Sequence, residues 1–487
     1  MQQQTPSVLT KDSDIEVSSQ EDDRKKLRNP CVRFLCDNLF MLLTLVGVAV
    51  GFGVGFGAKR LPDLSIAETW IKMPGDLYIR LLQLAILPLI SSNLIIVIAK
   101  LEPKEQGRSG LLCLLFILGY NIISSALGTA LAVLINPGGR YNGGNTTVNQ
   151  EDSGLQPTTS DIFANLFYNL IPENIVQMTI FQVATEYTLD NSTDPPSKVR
   201  NQVLHHTTDM IGVLFVSIVF GLAARVAGDR SKPFLDFFSS VADVVLVLIR
   251  WFLVLTPIGV CFMIAGAIMP VDDIQGTFAG LGFFILCVVV GCVINSIVTF
   301  LLFLVFTRRN PFKFFRYCVK AWIVAFATTS PIVSIPEMYQ GCDDYGVDKD
   351  ISRFTCPLVT TLKADGPAIF ISSAAMFVTQ FTLGSAPAGT AVVIWLLTSA
   401  SVFAIPHIPS ASIVITITIL SSLGVSTQAA SLLYAVDWFL DRLRCVTAII
   451  SNMYTVAIID HHQKNRKKKL ASETAPSIHS FQYINDI

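Results

Sequence analysis

At 487 residues, 52% hydrophobic and only 15% charged, the chain falls far short of the roughly 25% charge of a soluble globular protein. It reads as a polytopic membrane protein. A net charge of −1 points to no class of partner by itself, so the placement of charges carries the argument, and no nucleic-acid partner is expected. An enzyme is not expected either, because no Ser/His/Asp set, metal-ligand spacing or phosphate loop is present. The ten cysteines show no paired spacing. Cys113, Cys261, Cys287, Cys292 and Cys445 lie in apolar runs and read as packing residues.

Residues 1–34 are polar and acidic, with a basic patch at 24–28, and read as a disordered N-terminus without a cleavable signal. Apolar runs at 39–56, 77–98 and 111–135 are each near the roughly 20 residues that cross a bilayer. The first ends in the glycine-rich GVAVGFGVGFG, which favours close helix packing. Three further spans are expected near 210–224, 234–268 and 278–306. Lys and Arg gather in alternate loops (100–108, 225–232, 308–309) and in the tail 461–487, which puts both termini in the cytoplasm. The loop 136–208 is then external, and it holds two glycosylation sequons, at Asn145 and Asn191. The basic tail also suits contact with lipid headgroups.

After residue 306 the pattern changes. Apolar pieces at 313–336 and 386–425 are interrupted, the first at Ser330-Pro331 and the second at residues 404–409, which include Pro406, His407 and Pro409. Arms of about 14 residues reach about 21 Å, short of a roughly 30 Å hydrocarbon core, so both pieces read as re-entrant hairpins. Paired interruptions of this kind point to a binding site at the membrane midplane. Kinked ordinary helices are the alternative. The prolines should also stiffen the second tip, since proline fixes φ near −65°. A lone histidine at that tip, His407, carries no argument.

The span 353–381 contains Lys363 and Asp365, followed by Gly366 and Pro367, which together mark a helix break carrying charge. Lys363 and Asp365 are expected either to pair, or to leave Asp365 and freed carbonyls to hold a small cation. The last span, 429–460, carries Asp437, Asp441, Arg442 and Arg444 well inside it. Asp437, Asp441, Arg444, Ala448 and Asn452 fall on one helical stripe, whereas Arg442 points elsewhere. Each buried charge costs roughly 3 kcal/mol or more, so this stripe marks either a structural salt bridge or a substrate or ion path.

DWFLDRLR at 437–444, GVDKDISRF at 346–354, LAILPLISSNL at 84–94 and the stretch 251–259 occur in the order seen in one family. The chain resembles the excitatory amino acid transporters and neutral amino acid exchangers, within the dicarboxylate/amino acid:cation symporters, from about residue 35 to 460. The resemblance implies an all-α membrane protein of eight transmembrane helices plus two re-entrant hairpins, assembled as a homotrimer. It implies a scaffold mainly in 35–270, from spans 1, 2, 4 and 5. The moving transport core is then span 3 together with 271–460. It also implies plasma-membrane transport of an amino acid, with Asp441 taking the amino group and Arg444 the side-chain carboxylate. Ser330 and Pro409, at the hairpin tips, join the expected substrate site. Because neutral exchangers lack the arginine, Arg444 favours glutamate or aspartate.

The resemblance also locates departures. The family's Asn-Met-Asp-Gly-Thr run corresponds to residues 363–367, its third-helix sodium threonines to Tyr120 and Asn121, and its eighth-helix Asn and Asp to Ala448 and Asn452. Asp365, Lys363, Thr361 and Asn452 therefore form the expected remnant of cation sites, with sodium coupling altered or absent and no cofactor. Lys363 is expected to fill one sodium position, paired to Asp365; snorkelling toward water is the alternative. The other functional reading is a degenerate subunit that conducts ions or does not transport.

Overall fold

The computed structural model describes residues 39–59, 64–100, 107–140, 159–190, 197–269, 274–405 and 411–474. Asn145, Asn191, His407, Pro409 and most of the N-terminal segment lie outside these residues, as does the end of the tail. The first half contains α1 (Leu39–Ala58), α2 (Leu64–Lys100), α3 (Gly107–Ile135), α4 (Thr159–Leu170), α5 (Met210–Ala227), α6 (Lys232–Val254) and α7 (Thr256–Ile268). The second contains α8 (Ile274–Thr307), α9 (Pro311–Thr328), α10 (Ile335–Tyr345), α11 (Lys349–Leu362), α12 (Asp365–Leu383), α13 (Ala388–Ser401), α14 (Ala411–Ser422) and α15 (Tyr434–Thr474). Among the described residues, six stretches are long and apolar enough to cross a membrane, and four shorter apolar helices accompany them.

Three features depart from the sequence expectation. In the loop expected to be external, β1 (Gln182–Asp190) and β2 (Ser197–His205) form an antiparallel ribbon that packs on α4, so the described residues are helical with one small sheet, not helical throughout. Alternation is what a two-stranded ribbon needs, and its polar sequence hides it. The expected fifth span is two helices, because Pro257 follows a break at Leu255 and starts α7 in its first turn, where proline is tolerated. The first interrupted piece also runs further than expected: Thr329 closes α9 in the left-handed region, and α10 continues to Tyr345 and a left-handed Gly346.

Helix α1 lies on α7 through its glycines. A Cβ on Gly47 or Gly51 would collide with the carbonyls of Pro257 and Cys261, whereas Gly53 and Gly57 have open space. The spacing of four residues therefore builds a flat face where backbones meet, as small-residue stripes do in membranes. Helix α2 packs against α5, α6 and α7. In the second half, α15 sits in the middle, against α8, α9, α11 and α12, and α12 packs along α3. Phe303 and Phe314 stack there, Tyr454 meets both rings edge-to-face, and the Tyr454 hydroxyl donates to the Pro311 carbonyl at 2.7 Å.

The centre of this half is polar. Helices α11 and α12 are separated by Lys363 and Ala364, whose backbone is extended or irregular. A break at membrane depth frees backbone groups that must find partners. Asn121 of α3 supplies them: its Nδ2 donates to the Leu362 carbonyl at 2.9 Å and its Oδ1 accepts from the Ala364 N–H at 3.0 Å. Pro367 sits in the first turn of α12, where its missing N–H costs nothing.

Candidate functional site, a buried polar centre around two helices

Arg444 of α15 is 1% exposed, so its charge is compensated inside the protein. Its Nε donates to Asp441 at 3.0 Å and its Nη2 to Asp437 at 3.0 Å, with Nη2 also 2.8 Å from Asp441. The helical stripe read from the sequence thus closes on itself: residues three and seven positions apart share one guanidinium. The guanidinium carbon lies 4.2 Å from the centre of the Phe370 ring, a cation–π contact that positions the plane. Nη1 is buried and has no partner among the described residues. Arg442, on another face, donates to the Trp438 carbonyl at 2.7 Å.

The second charged centre is the helix break. Lys363 and Asp365 are buried, and Lys363 Nζ lies 3.1 Å from Asp365 Oδ2. The Ser451 hydroxyl of α15 lies between them, accepting from Lys363 and donating to Asp365. Asn295 of α8 donates to the same Asp365 oxygen at 2.7 Å. Tyr120 of α3 places its ring 4.0 Å from the ammonium. Asp365 Oδ1 has no hydrogen-bond partner among the described residues. The two centres adjoin: a Cβ on Gly366 would run into the Arg444 carbonyl, so α12 starts in backbone contact with α15.

The remaining expected residues are placed as follows. Ser330 is half-buried beyond the left-handed Thr329, and the Thr329 carbonyl accepts from the Cys445 thiol at 3.3 Å, next to Arg444. The turn after α9 therefore touches Cys445, the residue that follows the arginine, although Ser330 itself bonds locally, to Thr328. Asn452 is fully buried, and neither atom of its amide has a partner among the described residues. Thr361 is exposed and donates to the Pro357 carbonyl of its own helix at 2.8 Å, so it is not among the side chains around Lys363. Pro409 falls outside the described residues.

Two partners of Asp365 were not anticipated, Asn295 and Ser451. Asn295 had a signal, being an asparagine in the interior of the apolar run 278–306. Ser451 had none, since serines are common in such helices and satisfy themselves by bonding back along the chain. Among the described residues, no group of His, Cys, Asp and Glu side chains has the makings of a metal site.

Discontinuous helices carrying compensated charge at membrane depth define a class, that of secondary transporters. The sodium:dicarboxylate symporter family matches residues 40–462 of this chain, and the protein belongs to that family. It is 31% identical to neutral amino acid transporter B(0) of Oryctolagus cuniculus, covering 89% of this chain and 82% of that one. It is also 31% identical to excitatory amino acid transporter 2 of Mus musculus (93% and 84% covered) and to neutral amino acid transporter A of Homo sapiens (91% and 86%). These relatives are transporters, and the chain is not an enzyme.

Proposed function

We propose that the protein is a plasma-membrane transporter of an acidic amino acid, L-glutamate or L-aspartate, with sodium coupling altered or absent. The observation that carries the reading is Arg444, a buried guanidinium held by two carboxylates through Nε and Nη2, whose Nη1 has no partner among the described residues. A planar fork of donors suits a carboxylate, and Asp441 beside it suits an ammonium. Together they match a zwitterion with an extra carboxylate. Relatives named for excitatory and for neutral amino acids are equally similar, so the choice between them rests on this arginine. Eight spans with two re-entrant hairpins, the pieces 313–336 and 386–425, and a homotrimer with both termini cytoplasmic complete the reading. Two of the short apolar helices, Ala388–Ser401 and Ala411–Ser422, lie in the second piece and support reading it as a hairpin. Labelled glutamate uptake by vesicles containing the protein, in sodium and in choline, tests it; no uptake in either medium overturns it.

A second reading is a subunit that conducts ions or does not transport. It is favoured by the fact that both charged centres are compensated from within the chain. Currents without glutamate uptake in the same vesicles would select it.

A further inference from the structure

We propose that the Lys363 ammonium is the resident cation of the α11–α12 break, a covalently attached charge at the position where the break would otherwise take up a metal ion, so that this locus binds no sodium. Discontinuous helices in transporters hold small cations with freed carbonyls and a carboxylate. Here the carboxylate is Asp365, buried and anchored by Asn295 at 2.7 Å. The freed carbonyl of Leu362 is already taken by Asn121. The positive charge comes from two residues away in the same chain, and Lys363 reaches Asp365 at 3.1 Å.

Two further contacts are those of a cation site. The Ser451 hydroxyl turns its oxygen to the ammonium and its proton to the carboxylate. Tyr120 offers the face of its ring at 4.0 Å. The side chain does not snorkel: Lys363 is 1% exposed. A metal ion here would sit within a few ångströms of the ammonium, where repulsion between two unit charges at 4 Å is about 4 kcal/mol even at an effective dielectric of 20. One carboxylate does not stabilise two cations. The inference deepens the reading that cation coupling departs from sodium symport. It is read by melting rather than by uptake, so either result can fail without the other.

The test uses the full-length protein in detergent, melted in choline chloride and across a sodium chloride titration. Lys363→Met removes the ammonium and leaves Asp365 without its cation. The melting midpoint of this variant should lie below wild type in choline and rise saturably with sodium, as a ligand that binds the folded state requires. Wild type should respond to sodium less. The double variant Lys363→Met with Asp365→Asn should recover stability in choline and lose the added sodium response. A Lys363→Met midpoint equal to wild type in choline overturns the proposal. So does a lowered midpoint that sodium raises no more than it raises wild type, which leaves only a structural ion pair. Should Lys363→Met yield no folded protein in either salt, the double variant decides. A folded double whose midpoint depends on sodium no more than wild type supports the proposal, and one that is unfolded or more sodium-dependent overturns it.

Discussion

The burial of Arg444 makes its substitutions informative. Arg444→Cys removes the guanidinium that Asp437 and Asp441 share, at carboxylates only 3% and 7% exposed. Glutamate uptake should be lost and uptake of a small neutral amino acid gained; unchanged glutamate affinity would refute the assignment. The same variant should lose about 3–5 kcal/mol of stability, the usual cost of breaking one side of a buried ion pair. Arg444→Lys should not rescue, because an ammonium lacks the fork that spans both aspartates. A different carboxyl governs pH. Asp209 precedes the first turn of α5 and accepts from the Gly212 N–H at 3.0 Å, yet burial lifts it from its ordinary 3.8 to about 6. The folded state therefore holds this proton more tightly than the unfolded chain does. Its stabilising contribution is fully present below the unfolded value and is lost as pH rises through about 6. The melting midpoint should fall across that window and level off above it. Asp209→Asn keeps a capping oxygen and should flatten the profile; an unaltered pH dependence would show that another group is responsible.

Among elements, the glycine face of α1 gives a test with its own control. Gly51 and Gly53 are two residues apart on one helix, but only Gly51 meets another backbone. Gly51→Leu should cost about 1–3 kcal/mol of stability by overpacking against α7. Gly53→Leu should leave the melting midpoint within experimental error, and equal effects of the two would show that α1 packs some other way. That face was legible from the repeat of glycine in an apolar run. The break at residue 363 was legible too, because Lys, Asp, Gly and Pro within five residues have no ordinary place in a spanning helix. The division of 234–268 into α6 and α7 was less visible, since Pro257 sits among apolar residues that read equally well as one kinked span. The ribbon β1–β2 was missed for a similar reason: its strands pair mainly polar side chains, Thr185 opposite Gln202 and Glu186 opposite Asn201, so no apolar alternation announces them.

For the whole molecule, helical order and the polar centre follow from few signals, since lipid forces every backbone group to pair and every charge to find a partner. The distant partners did not follow. Asn295 and Asp365 are 70 positions apart in sequence, and Asn121 and Leu362 are 241 apart. No local pattern brings such pairs together; only the packing of α3, α8 and α15 around α12 does. Outward-facing Val244, Trp251 and Val254 of α6 are exposed in the single chain. Apolar surface of this kind faces lipid or another subunit. A mass measurement in mild detergent should give three chains per particle, and a monomer with full uptake would remove the trimer from the account.

The buried centre also has an electrical consequence. Three positive side chains, Lys363, Arg442 and Arg444, stand with three negative ones, Asp365, Asp437 and Asp441, on the helix break, α12 and α15, so this ionised set balances. A rearrangement that moves α12 and α15 along the membrane normal then drags no net charge from this set through the transmembrane field, where a full crossing is worth about 2.3 kcal/mol per unit charge for each 100 mV. The substrate-free protein should therefore give no capacitive current from this set after a voltage step. Asp437→Asn, which leaves it one net positive charge, should produce a small one.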